Sequence, residues 1–123
     1  VSMGRALVRN PRIYLMDEPL SSLDAKLRGD LRIELKRIQS ELGATMLYVT
    51  HDQTEAMTMA TQIGVLNNGR IEQFGTPRDI YENPSSQYVA TRLGSPRINT
   101  LPISIFGGAP IGASLIGLRP EHI

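Results

Sequence analysis

Hydrophobic residues in the first half of the chain form two short continuous runs separated by a longer amphipathic stretch. The runs are Ile13–Met16 and Met46–Val49. Because they are apolar without alternation and a helical stretch separates them, we predict two buried parallel strands joined by a crossover helix. In that stretch leucine and isoleucine recur at spacings of three and four from Leu23 to Leu42, and Gly43 follows. This pattern predicts an amphipathic helix that ends at the glycine.

Polar side chains follow both predicted strands directly. Asp17 and Glu18 come after the first strand, and His51 comes after the second. In a parallel sheet the carboxyl ends of the strands form the edge where ligands bind, so we expect these three side chains to converge on one crevice. Two carboxylates and an imidazole there suit Mg²⁺ and phosphate chemistry.

Capping and turn residues predict the remaining elements. Asp52, with Glu55 as a capping-box partner, predicts a second helix that runs to about Ala60. Apolar segments on both sides of Asn67-Asn68-Gly69 predict a β-hairpin. Two short helices are expected further on, one opened by Thr76-Pro77 and one opened by Ser85 or Ser86 that ends near Gly94. After Pro96 the many Gly, Pro and Ile residues predict a linker that leads into small β elements.

One glycine-rich segment resembles a phosphate-binding loop only in spacing. Residues 107–114 have Ala113 where the phosphate-binding lysine belongs and Pro110 inside the loop. The segment also lies after the predicted strands rather than before them. We therefore interpret it as a flexible turn, since short glycine patterns match by chance.

Composition excludes several classes of protein. The 123 residues include 13 basic and 12 acidic ones, a net charge of +1, so no bulk field favours nucleic acid. There is no cysteine, which excludes a disulfide scaffold and a thiolate metal site. No apolar run approaches the roughly 20 residues that span a bilayer, so any membrane association must come through a partner.

Several segments in the right order resemble one family. Residues 15–24, Leu-Met-Asp-Glu-Pro-Leu-Ser-Ser-Leu-Asp, resemble the Walker B strand and D-loop of ATP-binding-cassette (ABC) ATPases, and residues 49–52, Val-Thr-His-Asp, resemble their H-loop. The likeness continues through residues 53–57, 75–77 and 94–96. Within this family the sequence is similar to the maltose-type branch, which contains the ATPase subunits of bacterial sugar and glycerol-phosphate importers. The resemblance covers nearly the whole chain. Any one of these motifs alone would be weak evidence, but their occurrence together and in the right order makes the resemblance specific.

The resemblance implies an α/β fold in two parts. Residues 1–96 would be the carboxy-terminal half of a P-loop (ABC) nucleotide-binding domain with parallel strands. Independently of the resemblance, residues 2–8 are predicted to be the end of a helix that Asn10-Pro11 closes. Residues 97–123 would be a linker and the beginning of an oligonucleotide-fold-like β-barrel regulatory domain. The Walker A loop and the signature motif do not occur in this sequence. We therefore expect a carboxy-terminal fragment that is inactive alone and whose apolar faces cause self-association.

The family's site residues carry over onto four positions. Asp17 would hold Mg²⁺ through water, and Glu18 would act as general base on the attacking water. His51 would contact the γ-phosphate of ATP and position that water, and Asp24 would communicate across the ATP sandwich dimer while also favouring the helix start. ATP and Mg²⁺ are the cofactors implied for the intact subunit, with neither expected on this chain alone. The structural alternative is that these residues only end strands in polar turns.

The resemblance implies an ATP-hydrolysing subunit of a carbohydrate importer. Its partners would be a second copy of the subunit, transmembrane permeases and, indirectly, a solute-binding protein outside the membrane, with no nucleic acid. It would lie peripherally on the cytoplasmic face of the inner or cell membrane. The alternatives are an importer for polyamine, iron or sulfate, a soluble ABC ATPase, and a non-enzymatic module.

Overall fold

The computed structural model describes residues 8, 11–106 and 114–122. The chain forms two compact units, Val1–Met59 and Ala60–Ile123, each of which is described by itself. The interpretations of residues 2–8 and 107–114 fall, apart from Val8 and Ser114, outside the described residues. The domain boundary expected between residues 96 and 97 stays a prediction.

The first unit has a strand–helix–strand–helix order. Strand β1 is Ile13–Asp17, helix α1 Ala25–Leu42, strand β2 Thr45–Val49 and helix α2 Gln53–Met59. The strands pair in parallel, from Ile13 opposite Thr45 to Asp17 opposite Val49. The predicted crossover between parallel strands is confirmed.

Local capping sets both ends of α1 and the start of α2. Asp24 caps α1, since its Oδ1 accepts the N–H of Leu27 at 3.0 Å, so the helix starts two residues after the predicted Leu23. Gly43 closes it at a φ of 59°, a conformation that glycine adopts without strain. The Asp52 carboxylate accepts backbone N–H groups in the first turn of α2, so the predicted N-cap is confirmed.

The sheet of the first unit is buried on one face only. Tyr14 and Met16 form a core with Ala44, against which Met46 and Tyr48 pack. The strands were predicted to be buried, and the structure limits this to one face, because successive strand side chains point to opposite faces and only one face is covered. The other face is exposed, and its apolar side chains are those of Ile13, Leu15, Leu47 and Val49.

The leucine stripe of α1 is also covered only in part. Leu35 is buried, whereas Leu27 and Leu42 are exposed over 43% and 44% of their surfaces. The amphipathic pattern therefore predicted the helix correctly, but it did not predict how much of the stripe is covered.

The second unit begins with a β-hairpin and two short helices. Strands β3 (Ile63–Asn67) and β4 (Arg70–Gly75) are antiparallel, with Asn68 and Gly69 at positive φ, as the Asn-Gly turn predicted. Helix α3 is Pro77–Glu82, capped by Thr76. Helix α4 is Gln87–Arg92, and its N-cap is Ser86 rather than Ser85.

A second antiparallel pair follows. Strands β5 (Asn99–Pro102) and β6 (Leu115–Leu118) pair, and short 3₁₀ helices lie at Ile103–Phe106 and Pro120–His122. Within the described residues there are three two-stranded sheets, one parallel and two antiparallel, and with the helices they give an α/β structure consistent with part of an ABC domain. The β-barrel and the P-loop fold stay predictions.

Buried apolar side chains of α3 and α4 form the centre of the second unit. Ile80 and Val89 have no exposed surface. Across the whole described part of the chain, no helix combines the length and the apolar character that a membrane crossing requires.

Candidate functional site

Glu18 and His51 lie in direct contact although 33 residues separate them. Oε1 of Glu18 is 2.9 Å from Nδ1 of His51. Both residues follow parallel strands, so the pairing of β1 with β2 brings their turns to the same edge. The structure therefore brings together two of the three side chains that the sequence predicted to share one crevice.

The turn after β1 holds Glu18 in an unusual conformation. Its φ is 42°, which is uncommon for a residue with a Cβ. The N–H of Glu18 donates to the carbonyl of Val49 at 2.9 Å, and its own carbonyl accepts from both the N–H and the hydroxyl of Ser21. Such a conformation persists only where surrounding contacts hold it, and it is common at functional sites.

The contact with Glu18 favours the charged form of the imidazole. The hydrogen bond to the Glu18 carboxylate, and then its negative charge, raise the pKa of His51 above the usual 6.5. The side chains are 71% and 44% exposed for His51 and Glu18, so water screens the pair and it adds little to stability. Protonated His51 can donate hydrogen bonds from both ring nitrogens.

A buried carboxylate supports the turn after β2. Glu55 is 3% exposed, and its Oε2 accepts the hydroxyls of Thr50 at 2.7 Å and Tyr48 at 3.1 Å. Thr50 Oγ1 in turn accepts the N–H of Asp52 at 3.0 Å. The predicted capping box is therefore wrong in its second half, because the Glu55 side chain turns to these hydroxyls rather than to the backbone of its N-cap.

Electrostatic effects of opposite sign act on the groups around this turn. Burial raises the pKa of Tyr48, and the adjacent Glu55 carboxylate raises it further. Burial also works against the charged form of Asp52, but backbone N–H groups at the start of α2 and nearby arginines hold its pKa below the usual value. Asp52 is therefore a carboxylate at neutral pH.

Arg28 lies off the leucine stripe of α1, where the charged side chains of an amphipathic helix usually face solvent, but it contacts the protein instead. Its side chain is 28% exposed and reaches both the turn after β1 and Asp52. It lines a small cleft of about 10 Å³, space for roughly one water molecule. The other residues that line this cleft are Glu18, Ser21, Thr50, His51, Asp52 and Glu55.

The other two predicted site residues do not line this cleft. Asp17 is exposed at the carboxyl end of β1, where it precedes Glu18. Asp24 is exposed and caps α1. The structure thus shows Asp24 as the acidic residue at the start of the helix, as expected. Its expected role across the ATP sandwich dimer would involve a second chain.

The donors near this edge fit a nucleotide-bound Mg²⁺ better than a protein-enclosed metal. Within the described residues, no three His, Cys, Asp or Glu side chains are grouped to hold a metal ion. Mg²⁺ in nucleotide sites commonly takes one or two carboxylates and completes its shell with phosphate and water oxygens. The exposed Asp17 carboxylate suits that ligand set.

Two supporting residues were not predicted from the sequence. The signal for Glu55 was its position in the first turn of α2, which indicates a cap as readily as a buried acceptor. Nothing in the helical pattern distinguishes Arg28 from the solvated charges beside it, since its contacts depend on how two turns approach each other.

The chain is similar along its whole length to bacterial import proteins. It is 53% identical over 132 residues to the sn-glycerol-3-phosphate import ATP-binding protein UgpC of Rhizobium meliloti (strain 1021). It is 49% identical over 137 residues to the protein of that name from Ruegeria pomeroyi and 51% identical over 138 residues to that of Psychromonas ingrahamii. Each match covers 100% of this chain.

The matched segment is only part of each relative. The chain spans 38%, 39% and 37% of the Rhizobium, Ruegeria and Psychromonas proteins, respectively. No protein-family model matches it. The identity over the full chain nevertheless agrees with the motifs at β1 and β2, and the chain therefore belongs to the family of ATP-binding subunits of ABC importers, of which it represents about two fifths.

Proposed function

We propose that this chain forms the water-activating part of an ATP-hydrolysing subunit that couples ATP hydrolysis to solute import. The contact between Glu18 and His51 at the carboxyl edge of parallel strands carries the proposal. The relatives' names, which state import and ATP binding, agree with it.

In this proposal Glu18 is the general base for the attacking water. A general base must lie within hydrogen-bond reach of the proton that it takes. The cleft beside Glu18 has room for about one water molecule, and the carboxylate is partly exposed to it. The conformation at φ 42° directs the backbone after β1 into the turn that places this carboxylate beside His51.

His51 would stabilise charge and position the same water. Its Nδ1 is engaged by Glu18, so Nε2 is the ring nitrogen left to face a phosphate oxygen. The raised pKa favours the protonated ring, which can donate to Glu18 and to a phosphate at the same time. Hydrogen-bond donors directed at developing negative charge are a major source of catalysis in phosphoryl transfer.

Asp17 would hold Mg²⁺ through water and Asp24 would face a second subunit across the nucleotide. When bound, Mg²⁺ neutralises charge on the phosphates of ATP. The exposed position of Asp17, one residue before Glu18, supports its proposed role as a Mg²⁺ ligand. The exposed position of Asp24 at the start of α1, where the helix dipole stabilises a carboxylate, supports its proposed role towards a second subunit.

The relatives' names support the proposed class of substrate, and the resemblance to ABC importers supports the proposed partners. The relatives are named for sn-glycerol-3-phosphate import, so we propose a phosphorylated polyol or a related carbohydrate as the solute. Transmembrane permeases, a second copy of the subunit and, indirectly, a solute-binding protein would be the partners. The subunit would act at the cytoplasmic face of the membrane as a peripheral protein.

A chimera tests the proposal directly. This chain would replace the matching segment of the Rhizobium meliloti relative, and phosphate release and ATP binding would be measured. We expect Glu18→Gln to retain ATP binding and lose hydrolysis, and His51→Ala to lose hydrolysis as well. Glu34→Gln, on the exposed side of α1, is the matched control and should hydrolyse ATP normally. Phosphate release near the wild-type rate in either site variant would contradict the assigned roles.

A further inference from the structure

One side chain of α1 contacts both turns of the candidate site. Arg28 Nη2 donates to the carbonyl oxygen of Leu23 at 2.9 Å and lies 3.4 Å from that of Ser21. Its Nη1 lies 3.6 Å from Oδ2 of Asp52. A single guanidinium therefore spans from the turn after β1 to the turn after β2.

In each turn, one residue that Arg28 contacts is either hydrogen-bonded to Glu18 or adjacent in sequence to His51. On one side, Ser21 donates two hydrogen bonds to the Glu18 carbonyl, so displacement of Ser21 displaces Glu18. On the other side, Asp52 follows His51 directly and is held by Thr50 and the first turn of α2. Moving either turn would change the 2.9 Å separation of the carboxylate and the imidazole.

We infer that Arg28 is a positioning residue for the proposed hydrolysis: by holding both turns, its guanidinium keeps the Glu18 carboxylate and the His51 imidazole in contact. The planar fork explains why arginine is needed, because its nitrogens reach several acceptors at once, whereas a lysine is a point charge. The inference rests on the proposed function, since it assigns Arg28 a part in that same site.

The two ways in which Arg28 could affect His51, by positioning it or by its charge, change the pKa of His51 in opposite directions. Removing a nearby positive charge favours the protonated imidazole, so Arg28→Gln acting only through charge would raise the pKa of His51. If Arg28 positions the pair, Arg28→Gln weakens the Glu18 contact and lowers that pKa towards 6.5. NMR of the imidazole protons in this chain measures the value, and His51→Gln assigns the signal, since the chain has two histidines.

Three further variants sharpen the measurement. Arg37→Gln removes an equal charge from an exposed position of the same helix and should leave the His51 titration unchanged. Glu18→Gln removes the partner, so adding Arg28→Gln to it should lower the pKa no further. Arg28→Lys keeps the charge and loses the fork, and should lower the pKa of His51 without any direct charge effect.

An unchanged or raised pKa in Arg28→Gln would overturn the inference. If that variant does not fold, Arg28→Lys decides in the same way. Failure of both variants to fold would make Arg28 a structural residue and would also overturn it.

Kinetics of the chimera separate this inference from the proposed function. We expect Arg28→Gln to lower kcat by roughly 10-fold or more while KM for ATP stays nearly unchanged, since misplacing catalytic groups affects the chemical step. A chimera without hydrolysis would contradict the proposed function, while the His51 titration of this chain would still decide the role of Arg28. A hydrolysing chimera whose Arg28→Gln variant keeps its kcat would contradict the positioning role alone.

Discussion

The carboxylate of Glu18 lies 2.9 Å from the imidazole of His51, and this contact makes the stability of the chain depend on pH. Folding raises the pKa of His51 above 6.5, so the folded state binds its proton more tightly than the unfolded state. The contribution is therefore complete below about pH 6.5 and is lost as pH rises through the pKa of the folded state.

Thermal unfolding of the wild type and His51→Gln tests this dependence. We expect the advantage of the wild type to be larger at about pH 5.5 than at about pH 8.5. Because the pair is exposed, the change should be small. In a Glu18→Gln background the difference should vary much less with pH, because the contact with Glu18 is the largest cause of the raised pKa of His51. An advantage that grew with pH would show that the imidazole is stabilised in its neutral form.

Removing the buried Glu55 carboxylate should destabilise the first unit. Glu55→Ala leaves the hydroxyls of Thr50 and Tyr48 without their acceptor, and we expect a loss of about 2 kcal/mol in the free energy of unfolding. Glu55→Gln retains an acceptor oxygen and should lose less. Urea denaturation followed by circular dichroism measures both, and equal losses would show that hydrogen bonding to Glu55 is not the cause.

Substitution of Gly94 should cost more than substitution of Gly43. A Cβ at Gly94 would lie 2.7 Å from Nη1 of the buried Arg119, at a φ of 117°. Arg119 donates to the carbonyls of Leu93 and Tyr81 and stacks on the Tyr81 ring, so it has little freedom to move. We expect about 3 kcal/mol for Gly94→Ala.

Gly43→Ala is the matched control for that experiment. Gly43 also has a positive φ, of 59°, but a Cβ there meets no atom within 4 Å. Only the backbone cost of about 1 kcal/mol should remain. Similar denaturation midpoints for both variants would show that the approach of Arg119 is not decisive.

The 123-residue chain by itself should not hydrolyse ATP. Its sequence contains no glycine-rich loop that ends in Lys-Ser or Lys-Thr, and such a loop supplies most of the phosphate contacts in P-loop ATPases. Calorimetric titration with ATP and a phosphate-release assay test this, with Glu18→Gln as the background control. Micromolar affinity, or turnover above that control, would contradict the expectation.

The exposed apolar face of the β1–β2 sheet should cause self-association. Leu15 and Leu47 are 76% and 61% exposed on that face. Apolar surface of this kind favours contact between chains. We expect oligomers by light scattering at roughly tens of micromolar, and fewer of them when Leu15 and Leu47 are both changed to threonine. Ile71→Thr in the second unit is the control, and a monodisperse wild-type monomer would contradict the prediction.

The sequence by itself determined the elements that depend on near neighbours. Asp24, Gly43 and the Asn68-Gly69 turn act through their own backbone conformation or through hydrogen bonds within a few residues. The two hydrophobic runs likewise predicted the parallel strands. Because parallel strands end at the same edge of a sheet, Glu18 and His51, which follow them, lie at one edge. These features were predictable because each depends on residue type and on spacing along the chain.

Only the tertiary structure decided which side chains support that edge and which faces are covered. A continuous apolar run does not show whether one or both faces of a strand are buried, and here Leu15 is exposed while Tyr14 is buried. A charge on a helix does not show whether it meets water or a turn, and Arg28 meets two turns. Both outcomes depend on how distant segments approach, which local periodicity does not encode.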